Sequence, residues 1–142
     1  AARRGYLFDD VSPLFAFGFG LSYTTFSFGK PRLRKAVIRR DESTSVSVDV
    51  TNSGSVAGDE VVQMYIRDRF SSVTRPVKEL KGFRRITLEP GRTETVSLEI
   101  TPEHLAFYNI DKRFVVEPGE FDIMIGNSSR DQDLQKILLR VK

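Results

Sequence analysis

The stretch "TSVSVDV" alternates without a fault. Val46, Val48 and Val50 fall on one face, and Ser45, Ser47 and Asp49 on the other. A period of two is the mark of a strand with one buried and one wetted face. "TVSLEI" repeats it with Val96, Leu98 and Ile100, "EFDIMIG" with Phe121, Ile123 and Ile125, and "KILLRVK" with Ile137, Leu139 and Val141. "EVVQMYIRD" is apolar at most positions, with Val62, Met64 and Ile66 on one side and Val61, Gln63 and Tyr65 on the other. That is the pattern of a central strand. "TTFSFGK" and the basic "RLRKAVIR" read as further strands, with Tyr23, Phe26 and Phe28 assigned to the core. In "KELKGFRRITL", Leu80, Phe83, Ile86 and Leu88 need a bulge at Gly82 to share a face.

The punctuation agrees. "EPGR" (Glu89–Arg92) and "EPGE" (Glu117–Glu120) place Pro and Gly at the two centres of a type II turn. "TNSGSVAGDE" is a polar connection between strands, and "DRFSSVTRP" a longer loop whose Pro76 suits an edge. One helical turn is expected at "TPEHLAFY", with Thr101 as N-cap and Pro102 at the first helical position. About seven short strands at this spacing predict an all-β fold, an antiparallel two-sheet sandwich.

One stretch resists this scheme. "PLFAFGFGLSYTTF" (Pro13–Phe26) holds four phenylalanines, a tyrosine and two glycines. Pro13, Gly18 and Gly20 make its first part a loop, and a loop presenting Leu14, Phe15, Phe17 and Phe19 forms an apolar patch. Patches of that kind mark interfaces. The organisation expected is therefore a linker and aromatic interface loop over 1–20, followed by a sandwich domain over 21–142.

Composition narrows the chemistry. A chain of 142 residues can bury roughly 68–70% of its unfolded surface, enough for a core without staples. It has no cysteine, so neither a disulfide nor a thiolate metal site is available. Its apolar runs fall short of the ~18–20 residues that span a bilayer, and "AARRGYLFDD" does not resemble a signal peptide. Net charge is +3, with Lys30, Arg32, Arg34, Lys35, Arg39 and Arg40 crowded together. Asp41, Glu42 and the later acids dilute that stripe, and no nucleic-acid recognition element follows it. No nucleic acid and no membrane is expected as a partner.

His104 is the single histidine. Nucleophilic and zinc sites require partners that this sequence does not supply, so the reading is structural. "SSRDQD" (Ser128–Asp133) lacks the glycine turn and closing glutamate of a calcium loop. "GFG" (Gly18–Gly20) lacks the third glycine of a phosphate cradle. "NSS" (Asn127–Ser129) matches a glycosylation sequon. No catalytic residue, metal or cofactor is assigned.

"PLFAFGFGLSYTTF" closely resembles the "PLFPFGYGLSYTTF" signature that opens the C-terminal fibronectin type III-like domain of glycoside hydrolase family 3 enzymes. "VTNSGSVAGDEVVQMYI", "RPVKELKGFRRITLEPGRTETVSLEI" and "FVVEPGEFDIMIGNSSRD" resemble that domain's recurring segments, so the likeness runs from about Tyr6 to Lys142. Ala16 departs from the usual proline, and Phe19 from the frequent tyrosine or histidine. The resemblance implies a fibronectin type III-like (immunoglobulin-like) sandwich attached to a retaining β-glucosidase or β-xylosidase that releases terminal β-linked sugars. The family's nucleophile and acid/base lie on two other domains, and the retaining mechanism needs both carboxyls about 5–5.5 Å apart. This chain alone is expected to be inactive, an accessory domain that packs on the catalytic domains of its parent.

The resemblance places Leu14, Phe15, Phe17, Gly18, Phe19 and Gly20 at that interface, near the rim where a β-glucoside or β-xyloside would bind. "RGYLFDD" (Arg4–Asp10), with Tyr6 and Phe8, leads into it. A periplasmic or secreted parent is expected over a cytoplasmic one. Two rivals remain: a carbohydrate- or polymer-binding module, and a dimerisation module using the patch for self-association.

Overall fold

A computed structural model describes residues 24–69, 78–108 and 111–142. The described chain is an all-β sandwich. Its strands are β1 (Phe26–Phe28), β2 (Arg32–Leu33), β3 (Val37–Ile38), β4 (Thr44–Asn52), β5 (Gly58–Asp68), β6 (Glu79–Leu88), β7 (Thr93–Ile100), β8 (Phe107–Tyr108), β9 (Phe114–Val115), β10 (Gly119–Gly126) and β11 (Leu134–Val141). One sheet has β4 paired with β1, β2 and β7; the other runs β3-β11-β10-β5-β6; β8 and β9 form a separate pair. There are more strands than the seven of the sequence pattern because several short pairings flank the long ones.

The chain forms two compact units. The larger comprises Phe28–Asp49, Val61–Arg84 and Thr95–Lys142. Val46, Val48, Val96 and Ile100 on the β4 sheet are fully buried, as are Val62, Met64, Ile123, Ile125 and Leu139 on the other. Registers confirm the shared face: Ile123 stands opposite both Ile66 on β5 and Ile137 on β11. Beside these, on the opposite face, Asp122 meets Arg67 and Met124 meets Tyr65. Gln63, Tyr65, Asp122 and Met124 are buried too, so β5 and β10 are covered on both sides. Tyr65 donates to Gln63 Oε1 at 2.6 Å, and Gln63 donates to the Asn127 carbonyl at 3.3 Å. The Lys78 ammonium lies 6.0 Å from the Tyr65 ring centroid. Burial pushes the Tyr65 phenol above its ordinary pKa.

The smaller unit contains Val50–Glu60 and Arg85–Glu94, together with the segment ending at Ser27. Val50, Ile86 and Leu88 are its buried aliphatics, and Asn52 is fully buried among its polar groups. The turn Glu89–Arg92 forms as expected. Arg92 N donates to the Glu89 carbonyl at 3.1 Å, and Gly91 has φ 79°, which a side-chain-bearing residue rarely adopts. At Glu117–Glu120 the type II geometry is absent: Gly119 has φ 149° and opens β10.

Three further expectations need correction. "RLRKAVIR" is not one strand: β2 pairs antiparallel with β4, whereas β3 pairs parallel with β11 in the other sheet. The break comes where the Lys35 backbone turns to the Thr44 side chain, donating to Oγ1 at 2.9 Å and accepting from it at 3.2 Å. Phe83 does not share the face of Ile86 and Leu88. β6 runs unbroken from Glu79 to Leu88, so residue 83 lies on the opposite phase and is 66% exposed. Phe26 and Phe28 are only half-buried in a three-residue strand, short of full core membership.

Candidate functional site

The sequence-assigned interface residues Leu14, Phe15, Phe17, Gly18, Phe19 and Gly20 lie outside the described residues, as do Tyr6, Phe8 and Tyr23. Thr24 and Thr25, near the end of that motif, are the first described residues, and Asn52 and Ser53 bind them. β4 carries its buried phase one step beyond Val50, to Asn52. That side chain is fully buried and makes every hydrogen bond its amide can offer there. Nδ2 donates to the carbonyls of Val56 and Leu88, each at 2.9 Å. Oδ1 accepts from Gly54 N at 2.9 Å and from Thr24 Oγ1 at 2.7 Å. The backbone of Asn52 is occupied separately, donating to Arg92 O and accepting from Gly91 N, each at 2.9 Å. Buried amides persist only when satisfied in this way.

Ser53 extends the contact. Its N–H donates to the Thr25 carbonyl at 2.8 Å, and the two hydroxyls lie 2.9 Å apart. Gly54 makes room: a Cβ there would overlap the Thr24 hydroxyl and lie 2.9 Å from both Thr24 Cβ and Thr25 N. Gly54→Ala is therefore expected to destabilise the chain by about 1–3 kcal/mol, the cost of overpacking a filled site. A thermal or urea midpoint unchanged from wild type would show that residues 24–25 do not lie against Gly54.

Elsewhere the candidate chemical groups serve the fold. His104 closes a capping box on the one-turn helix Pro102–Leu105: its Nδ1 accepts from Thr101 N at 3.1 Å, and Thr101 Oγ1 accepts from His104 N at 3.4 Å. In "SSRDQD", Asp133 accepts from Ser128 at 2.6 Å and Arg130 at 2.9 Å, and Asp131 pairs with Lys78. Asp122 accepts from Arg67 at 2.8 Å and lies 3.4 Å from Arg69, while Glu120 holds Arg69 and Arg140 at 3.3 and 3.2 Å. In the basic segment, Arg32 pairs with Asp49, Lys35 with Glu42 and Arg39 with Asp41. These carboxylates are spoken for by cations.

Several are correspondingly acidic. The Lys35 ammonium, then the Arg39 N–H, pull Glu42 from the usual 4.5 to about 2. Arg85 and then Thr87 lower Asp59, Thr95 and then Arg32 lower Asp49, and Lys78 lowers Asp131. A carboxylate whose folded pKa is depressed adds stability above its unfolded value and loses it as pH falls through the folded one. The thermal midpoint is therefore expected to hold from neutral pH down to about 5, then fall steadily toward pH 2. High salt should flatten that decline, because the pairs are exposed. A midpoint constant from pH 5 to 2 at low salt would show that these pairs do not form.

With the geometry established, the chain can be placed among known proteins. Residues 60–129 match the fibronectin type III-like domain family. A β-xylosidase of Formosa agariphila is 55% identical over all 142 residues, which are 20% of that protein's length. A β-glucosidase of Bacteroides ovatus, BoGH3A, is 47% identical over 129 residues, 90% of this chain and 17% of that one. The solved β-glucosidase EmGH1 of Erythrobacter marinus superposes with a TM-score of 0.81 at 43% identity, over 99% of this chain and 18% of that one. The chain thus spans no more than about a fifth of the relatives it matches. It is a fibronectin type III-like domain of the kind carried by family 3 β-glucosidases and β-xylosidases.

Proposed function

We propose that the chain is a non-catalytic accessory domain of a β-glucosidase or β-xylosidase, and that it stabilises the parent by packing on its catalytic domains. The observation that carries this reading is the match itself: the whole chain corresponds to one fifth of an enzyme. The chemistry agrees, since the carboxylates described above are held by arginine, lysine and hydroxyl partners. In this reading Leu14, Phe15, Phe17 and Phe19 supply the apolar contact, and Gly18 and Gly20 the loop that presents them at the substrate rim. The domain boundary falls near residue 20.

The purified chain is expected to turn over no aryl β-glucoside or β-xyloside above background. Added in trans to its parent enzyme lacking this domain, it should bind and raise that protein's thermal midpoint. Turnover by the chain that disappears on replacing one of its own Asp or Glu residues would overturn the first expectation. Failure to bind the truncated parent, together with retention on insoluble glucan or xylan, would favour the polymer-binding rival. A flat aromatic platform on the outer face of β5 and β10 is disfavoured because Tyr65 and Met124 are buried there.

A further inference from the structure

The strand edges of the two sheets are not finished alike. β1 has three residues, and β2 and β3 have two each. β6 is long but sets Lys81 and Arg84 on either side of Gly82. Short strands and cations keep an edge from pairing with another chain. β7 has neither. It runs eight residues, Thr93–Ile100, without Lys, Arg, Pro or Gly, and among the described residues it pairs with β4 alone.

The direction of its backbone groups follows from β4. The Ser45 and Asp49 carbonyls accept from Arg34 N at 2.9 Å and Gly29 N at 2.8 Å, and Ser47 stands beside Arg32. Residues 45, 47 and 49 thus turn their backbone groups toward β1 and β2, which leaves β7 the other side. There Ser97 Oγ lies 3.1 Å from Ser47 Oγ, and Thr95 donates to Asp49 at 2.6 Å, so these residues stand opposite each other. In an antiparallel ladder, opposite residues either bond each other or both point away. Thr95, Ser97 and Glu99 therefore direct N–H and C=O out of the free edge. All three are exposed, while Val96 and Leu98 between them are buried.

We propose that β7 is a pairing edge for a second copy of this chain, joined antiparallel about a two-fold axis at Ser97. Ser97 then meets its own counterpart, Thr95 meets the other copy's Glu99, and Val96 meets the other copy's Leu98. Each outward N–H and C=O of residues 95, 97 and 99 finds a partner, apolar residues stay on the inner face, and no like charges oppose. A centre at Glu99 would set two carboxylates against each other. The strand is self-complementary, as a two-fold interface between identical chains requires. The contact is smaller than the roughly 1,200 Å² of stable complexes, so the pairing is weak. It goes beyond the accessory-domain reading and depends neither on it nor on the aromatic segment.

The test is sedimentation equilibrium of the 142-residue chain at concentrations up to about 1 mM. Wild type is compared with Ser97→Lys, Ser97→Glu and an equal mixture of the two variants. Each variant alone opposes like charges across the axis and is expected to raise the dimer Kd at least about tenfold. The mixture opposes Lys to Glu and should return within about threefold of wild type. Amide exchange, which needs no variant, should slow at Ser97 as wild-type concentration rises and stay unchanged at Val96. A wild type that remains monomeric overturns the proposal and leaves this edge to the rest of the parent. Wild-type dimerisation in both single variants, no recovery on mixing, or exchange at Ser97 indifferent to concentration overturns it as well, and puts any self-association elsewhere on the chain.

Discussion

Ile123→Ala is expected to destabilise the chain by about 2–5 kcal/mol, the range for truncating a buried isoleucine. Ile123 is fully buried, on a strand whose two neighbours present Ile66 and Ile137 opposite it. Collapse of the surroundings is hindered because β10 is paired on both sides and covered on both faces, so the lost methylenes leave a cavity instead of a relaxed core. Denaturant melts of wild type and variant measure the difference. A loss below about 0.5 kcal/mol, the scale of surface substitutions, would move residue 123 out of the interior and break the phase assigned to β5, β10 and β11 together.

Phe17→Ala should separate the domain from its parent. In the isolated chain the stability change is expected to stay under about 0.5 kcal/mol, because the sandwich interior is already filled by aliphatics from its own strands. In the full-length enzyme the same change should cost about 2–4 kcal/mol of domain docking, the scale of an aromatic interface anchor. An aromatic side chain removes some 150–250 Å² from water when it is buried. The parent's thermal midpoint and activity at elevated temperature would both fall. The reverse pattern, an unfolded isolated domain beside an unaffected full enzyme, would assign Phe17 to the core and end the interface reading.

The legible part of the fold was the part governed by period two. Val46, Val48, Val50, Val96, Leu98 and Ile123 needed only strict alternation to be placed inside, and Pro90-Gly91 needed only its turn chemistry. The split of 32–39 between two sheets was hidden because a strand that changes sheets keeps the same residue preferences on either side of the crossing. Phe83 was misplaced because hydrophobicity outweighed spacing. Taken strictly, the alternation from Leu88 back through Ile86 already puts residue 83 on the other face. Asn52 carried a signal that went unused, since a polar residue two beyond Val50 continues a buried row and must therefore be satisfied from outside its own strand. Two of its side-chain partners, Thr24 and Leu88, sit 28 and 36 residues away, and no local pattern names them. The reading of the aromatic segment rests on its motif alone, since Leu14 to Gly20 lie outside the described residues.

The parallel pairing of β3 with β11 governs when the sheet can be finished. Arg140 and Val141 stand beside Val37 and Ile38, and Gln135 reaches back 106 residues to the Gly29 carbonyl at 2.6 Å. β11 is thus the strand that stitches the early segment to β10. During synthesis, β3 has no sheet partner and β10 has one bare edge until residues 134–141 have cleared the ribosome. Pairings this distant in sequence form slowly, on the order of milliseconds to seconds. For that interval a nascent chain carries two open edges, and a product that stops short of residue 134 would stay in that condition.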